Sequence, residues 1–225
     1  MSDTDDPTRV TETLHGPIAF LADIHGNLRA LDAVLAALHE AGVGAVFVCG
    51  DLLLDGDDPL GVWMRLQKIG ARCVRGTTDR ALATVDPARL RPGTEAEAEA
   101  VARFRRTREA LGELILARLR KLPEALQLTV PNGDRWLVVH GSPRDPDEVI
   151  THDMDDAELE AALGDDLSDV VVCGGSHVPF VRVLPDATVV SPGSVGASPE
   201  GGVAHYALLT PTPDGPAIEP RWVAY

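Results

Sequence analysis

Two aspartates and three histidines fall at or just beyond the ends of short apolar runs, each at or near a glycine. Asp23 and His25 flank Ile24 at the end of "PIAFLAD" (17–23), with Gly26 next. Asp51 follows Gly50 at the end of "AVFVCGD" (45–51), His140 ends "WLVVH" before Gly141, and His177 follows "VVVCGG" by a short loop. Residues two apart on a strand face the same side, so Asp23 and His25 are expected to reach one ion. Gly26 permits a sharp turn there. A mixed carboxylate and imidazole set suits Mn²⁺, Fe²⁺, Zn²⁺ or Ni²⁺ better than Mg²⁺ or Ca²⁺. Any one of these histidines alone is more often a satisfied core or loop residue. It is the recurrence of all five at strand ends, where ligands of open α/β sheets bind, that points to a metal centre.

Such a centre needs strands to hold it. "PIAFLAD", "AVFVCGD" and "ARCVRG" (71–76) read as buried strands. Between the first two, Asn27 caps a helix whose Leu28, Leu31, Val34, Leu35 and Leu38 recur at helical spacing before Gly42. Asp58-Pro59 opens a second helix through about Lys68. This β-α-β-α-β start predicts an α/β protein with a parallel sheet. Thr94-Glu95-Ala96-Glu97 is a capping box. It starts a long helical stretch, acidic first and basic last, that Pro123 closes and Gly112 is placed to divide. Seven β-like runs follow, from "ALQLTV" to "AIEPRWVAY", interrupted by one helix at 153–164. Residues 1–15 read as a frayed tail. Residues 16–225 read as one domain with a helical insertion at about 94–122.

Hydrophobic residues make up 44% of the 225, enough for a sizeable core, with only 4% aromatic. A formal net charge of −15 repels phosphate backbones and anionic lipid, so neither a nucleic-acid nor a membrane partner is expected. Cys49, Cys73 and Cys173 are an odd set in apolar runs, read as buried reduced thiols, and no Cys-x-x-Cys spacing occurs. The polar N-terminus does not read as a signal peptide, and no apolar run reaches membrane-spanning length. A cytoplasmic protein is the expectation.

Asp23-Ile24-His25-Gly26-Asn27, Gly50-Asp51, His140-Gly141-Ser142-Pro143 and His177, in that order and approximate spacing, resemble the calcineurin-like metallophosphoesterase superfamily. "HGSPRDP" (140–146), "SHVPF" (176–180) and "SPGSVG" (191–196) are similar to its small prokaryotic members of the diadenosine-tetraphosphatase-like type. The resemblance implies a four-layer α/β/β/α sandwich with a two-metal site, hydrolysing phosphomonoesters or phosphodiesters. By matching motifs, Asp23, His25, Asp51 and His177 would hold the first metal. Asp51 would bridge to the second, and His140 would serve the second. Asp51 and His140 are then the catalytic candidates, and a small phosphorylated molecule the expected substrate.

The chain departs from that pattern in a cluster. Where the family reads Gly-His-Thr-His, it has Gly174-Gly175-Ser176-His177. Where the family reads Gly-Asn-His-Asp, it has Gly76-Thr77-Thr78-Asp79, and Ser191 stands for the usual asparagine before Pro-Gly-Ser. A neutral threonine hydroxyl is a poor divalent-metal ligand, and glycine offers no side chain. One tightly bound metal and a weak or empty second site are therefore expected. Arg75 and Arg144 are candidates for phosphate oxygens, equally readable as structural ion-pair partners. Arg103, Arg105, Arg106 and Arg108 read as a solvated helix face, and Asp55, Asp57 and Asp58 as turn and cap residues. Two functions follow: an attenuated or specialised phosphoesterase, or a catalytically silent binding or scaffold protein on the same fold, as in the retromer subunit of that superfamily.

Overall fold

The computed structural model describes residues 8–10, 14 and 16–225. Eleven strands and five α-helices follow in chain order: β1 (Arg9–Val10), β2 (Ile18–Leu21), α1 (Leu28–Glu40), β3 (Ala45–Val48), α2 (Pro59–Lys68), β4 (Arg72–Cys73), α3 (Thr77–Thr84), α4 (Glu95–Arg120), β5 (Ala125–Thr129), β6 (Arg135–Val139), α5 (Asp156–Leu163), β7 (Val170–Cys173), β8 (Pro179–Val183), β9 (Thr188–Pro192), β10 (Val203–Thr212) and β11 (Gly215–Ala224). One sheet has the order β11-β10-β2-β3-β4, the other β1-β5-β6-β7-β9-β8. β2, β3 and β4 run parallel, as do β6, β7 and β9. These are the strands whose carboxyl ends lead into the candidate residues.

The continuous apolar runs are explained by burial on both faces. Successive strand residues point to opposite sides. Ile18 and Phe20 enter a core between the sheets, while Ala19 and Leu21 enter one under the helices. In the other sheet Trp136 and Val138 join the inter-sheet core, while Leu137 and Val139 pack toward α5. Leu31 and Val34 of α1, Val62 and Leu66 of α2, and Leu116 and Leu119 of α4 cover the first sheet. Leu159, Ala162 and Leu163 of α5 cover the second. The layers are thus α/β/β/α.

Local signals act where their chemistry places them. Asn27 accepts the Ala30 N–H (3.0 Å) and Asp58 the Gly61 N–H (2.8 Å), capping α1 and α2. Thr94 and Glu97 close a capping box on α4, and Gly112 (φ 68°) breaks that helix in two. α3 lies where only lost ligands were read. "TTDRALAT" carries too few apolar residues at helical spacing to announce itself. The tail needs a correction: Arg9–Val10 pairs in parallel with Gln127–Leu128, and Leu14 is buried. The rest of that tail (1–7, 11–13 and 15) lies outside the described residues. Among the described residues no helix is long and apolar enough to cross a membrane.

Candidate metal centre

The expected reason for the Asp23–His25 pairing needs correcting. β2 ends at Leu21, and Asp23 (φ 54°) and His25 (φ 48°) lie beyond it in the left-handed region. Asp51 (φ 54°) and His177 (φ 58°) adopt the same rare conformation. For non-glycine residues this costs on the order of 1–3 kcal/mol each, and it persists only where the surroundings impose it. Around Asp23, His25 and Asp51 the backbone imposes it. The N–H groups of Asp23, His25 and Gly26 bond the carbonyls of Gly50, Asp51 and Leu52 in turn (3.1, 3.0 and 2.9 Å). Gly174 N–H bonds the His140 carbonyl (3.0 Å), joining the ends of β6 and β7.

Two overlapping clusters result: Asp23, His25 and His177, and Asp23, Asp51 and His140. His177 Nε2 lies 3.7 Å from Asp23 Oδ1, His25 Nε2 3.9 Å from Asp51 Oδ2, and His140 Nε2 3.5 Å from Asp51 Oδ1. All are buried except His177, which is partly exposed. All five expected ligands are brought together.

The imidazole tautomers test whether a cation fits. His25 Nδ1 meets the Leu54 carbonyl (3.1 Å), His140 Nδ1 the Cys49 carbonyl (2.8 Å), and His177 Nδ1 the Ala197 carbonyl (3.1 Å). A carbonyl only accepts, so each Nδ1 carries a proton and each ring turns its Nε2 inward. This arrangement orients metal-binding histidines. His25 Nε2 and His177 Nε2 stand 3.2 Å apart. A cation set between them would take a lone pair from each ring. Burial and the neighbouring His25 hold the His177 imidazole below its ordinary pKa, which keeps it neutral. The carboxyl of Asp23 is pushed well up by burial and by Asp51, against the lowering effect of the Gly175 N–H (3.0 Å). Uncompensated negative charge of this kind also calls for a cation.

The side of Asp51 toward α3 is poorer. Thr78 donates its N–H to Asp51 Oδ1 (2.8 Å), while its buried hydroxyl has no partner. The Thr77 hydroxyl turns away to Asp147 (3.1 Å), a carboxylate also gripped by Arg80. Gly175 supplies only its backbone. Asp79, fully buried, was not singled out from the sequence. It accepts the N–H groups of Leu52 (3.0 Å) and Gly76 (3.0 Å), tying the Asp51 loop to α3. Burial and Asp51 push its carboxyl up to about 8. Its position beside two threonines gave no sign of this role.

The two arginines are committed elsewhere. Arg75 bonds the Arg120 carbonyl (2.8 Å) and Glu124 (2.6 Å), and Arg144 reaches toward the Ala161 carbonyl of α5 (3.5 Å). These partners match the structural alternative for both arginines. Arg103 pairs with Asp55 (3.4 Å), and Arg105 and Arg108 bond the Pro87 and Leu82 carbonyls, so the arginine face of α4 is tied down rather than simply solvated. Cys49, Cys73 and Cys173 are free and buried, with burial pushing each thiol up, Cys173 to about 12.

A family model of the calcineurin-like phosphoesterase superfamily domain matches residues 17–214. The chain belongs to this superfamily. Calcineurin-like phosphoesterases are hydrolases acting on ester bonds, and the clusters above are the candidate metal ligands of one. Among solved structures, a metallophosphoesterase from Sphaerobacter thermophilus is 26% identical, with 95% of this chain and 89% of that one covered and a TM-score of 0.71. A hypothetical protein from Pyrococcus horikoshii is 22% identical (92% and 87% covered, TM-score 0.76). A putative diadenosine tetraphosphatase is 20% identical (95% and 97% covered, TM-score 0.58). The last two share the calcineurin-like fold. None of the curated proteins matches the chain.

Proposed function

We propose that this protein is a metal-dependent phosphoesterase with one well-formed metal site and a weak second one, of attenuated or specialised activity. The observation that carries the reading is the pair of Nε2 atoms of His25 and His177, 3.2 Å apart between two buried aspartates, with each ring held at Nδ1 by a backbone carbonyl. Asp23, His25, Asp51 and His177 would hold the first ion. Mn²⁺, Fe²⁺, Zn²⁺ and Ni²⁺ suit this donor set. Bound there, a divalent ion supplies Lewis acidity toward a phosphoryl oxygen and acidifies a water for in-line attack on phosphorus.

The chain's own residues do the rest. The Gly175 and Thr78 N–H groups orient the Asp23 and Asp51 carboxylates, and His140, aimed by the Cys49 carbonyl, sets its Nε2 against Asp51. Asp23 is then common to the two clusters, and Asp51 faces both His25 and His140. The substituted corner supports attenuation, since Thr77 is spent on Asp147 and a threonine hydroxyl does not protonate a leaving group near neutral pH. Loss of a general acid is worth roughly 10²–10⁴ in rate. The same corner also favours a second reading, a silent binding protein that keeps the metal. A net charge of −15 supports a small phosphorylated substrate over nucleic acid. The buried reduced thiols support a cytoplasmic setting.

The test is Mn²⁺-dependent hydrolysis of a chromogenic phosphodiester by the wild-type protein and Asp51→Asn. Turnover that needs metal and disappears in the variant is expected. Turnover equal in both, or none in either, sinks the enzyme reading, and in the second case Mn²⁺ uptake by the wild type leaves the binding-protein reading standing.

A further inference from the structure

Asp23 follows a strand of one sheet and His177 precedes a strand of the other, so something must hold the two sheet ends in register. The loop after β9 does so. Val195 N–H bonds the Ala22 carbonyl (2.9 Å), and Gly196 N–H the Asp23 carbonyl (3.0 Å). A Cβ on Gly196 would fall 1.9 Å from the Ile24 carbonyl oxygen, so the approach is as close as glycine allows. Ser194 sits at the centre, with no exposed surface. Its hydroxyl donates to the Asp23 carbonyl (2.8 Å) and accepts the Ala197 N–H (2.8 Å). The carbonyl of that same Ala197 fixes His177 Nδ1 (3.1 Å). One hydroxyl therefore links the backbone of the Asp23 ligand to the residue that sets the tautomer and aim of the His177 ligand. Its carbonyl accepts the His205 N–H of β10 (2.9 Å), which anchors it to the first sheet.

We propose that Ser194 is a positioning residue that presets the distance and orientation of Asp23 and His177 for a single divalent ion. The proposal rests on the metal-site reading above. It requires no contact between Ser194 and the ion or the substrate. Without the hydroxyl the Ala197 N–H loses its partner, the Ala197 carbonyl is no longer held, and the His177 ring is free to rotate or change tautomer. Outer partners of metal ligands typically contribute 10–100-fold to metal affinity.

The experiment titrates Mn²⁺ alone into the wild type, Ser194→Ala and Ser168→Ala by calorimetry. Ser168 lies just before β7, at the opposite end of that strand from the centre, so its variant measures what removing a serine hydroxyl remote from the centre does. Ser194→Ala is expected to weaken Mn²⁺ binding about 10–100-fold, and Ser168→Ala by less than about threefold. Nitrogen NMR of the metal-free Ser194→Ala protein is expected to show His177 losing its pure Nδ1–H form. If Ser194→Ala does not fold, Ser194→Cys, which keeps a side chain at the position but hydrogen-bonds weakly, is measured in its place. Binding by the Ser194 variant equal to wild type, an equal loss in Ser168→Ala, or an unchanged His177 tautomer overturns the proposal. A wild type that takes up no Mn²⁺ overturns the metal-site reading as well, whereas a wild type that binds beside equally competent variants overturns the role of Ser194 alone.

Discussion

His25 and His177 illustrate how much of the proposed metal site is settled before any ion arrives. Each ring is pinned at Nδ1 by a backbone carbonyl, and the Nε2 atoms face each other. Replacing either ligand should therefore do more than replacing an outer partner. His177→Ala is expected to weaken Mn²⁺ binding more than about 100-fold, measured by calorimetry, because it removes a donor that outer partners only orient. The substituted corner makes the converse prediction. Thr77→Asn, Thr78→His and Gly175→His together should raise phosphodiesterase turnover and bring a second Mn²⁺ into the protein. Gly175 has φ 76°, so its replacement should also cost roughly 1–2 kcal/mol of stability, visible in denaturant titration. A triple variant that binds two ions with no gain in turnover would count against an attenuated enzyme.

At the scale of elements, the strands deliver the ligands but do not orient them. β2, β3, β6 and β7 end two to four residues short of the glycines and kinked loops that carry the chemistry, with His140 alone following its strand directly. α3 matters most among the helices, because Asp79 in its first turn ties it to Leu52 and Gly76 beside Asp51. A Cβ on Gly76 would lie 2.2 Å from Asp51 Oδ1. Gly76→Ala is thus expected to displace Asp51 and abolish metal-dependent turnover while far-ultraviolet circular dichroism stays near wild type. Retained activity would mean that the contact yields easily. The sequence announced β2, β3, α1, α2 and the break in α4, because apolar runs, caps and a mid-helix glycine are local signals. It did not announce α3, whose reason to be helical is the buried Asp79 cap and the packing of Leu82 and Ala83.

Across the whole molecule the centre is a concentration of buried negative charge in an already acidic protein. Asp79 titrates at about 8 in the folded state against 3.8 ordinarily, and Asp23 is raised in the same sense. A raised carboxylate binds its proton more tightly when folded, so its contribution to stability is full below 3.8 and is lost as pH rises toward about 8. His177, lowered, acts oppositely and only toward acid pH, where its stabilising effect is lost as pH falls. Metal-stripped protein should therefore become less stable between those limits as pH rises. Mn²⁺ should flatten that slope by supplying the missing positive charge, with proton release on binding. Thermal melts with and without chelator across this range check it, and parallel slopes would show that the acids are not compensated by the ion.

Sequence alone determined the parallel α/β start and the donor types, and the family resemblance supplied the four layers. Apolar runs that are continuous rather than alternating indicate strands covered on both faces, and Asp and His near glycines at their ends point to a site there. The order of Asp23, His25, Asp51, His140 and His177 carried the family. Tertiary structure decided the rest. Hydrogen bonds between loops far apart in sequence hold Asp23, His25 and Asp51 at positive φ, carbonyls from Leu54, Cys49 and Ala197 place the proton on each imidazole Nδ1, and Ser194 joins two sheets. Arg75 and Arg144 show the same dependence: their protein partners, Arg120 and Glu124 for one and Ala161 for the other, come from segments remote in sequence. Such pairings depend on through-space contacts between segments 17 to 171 residues apart, which no local pattern encodes.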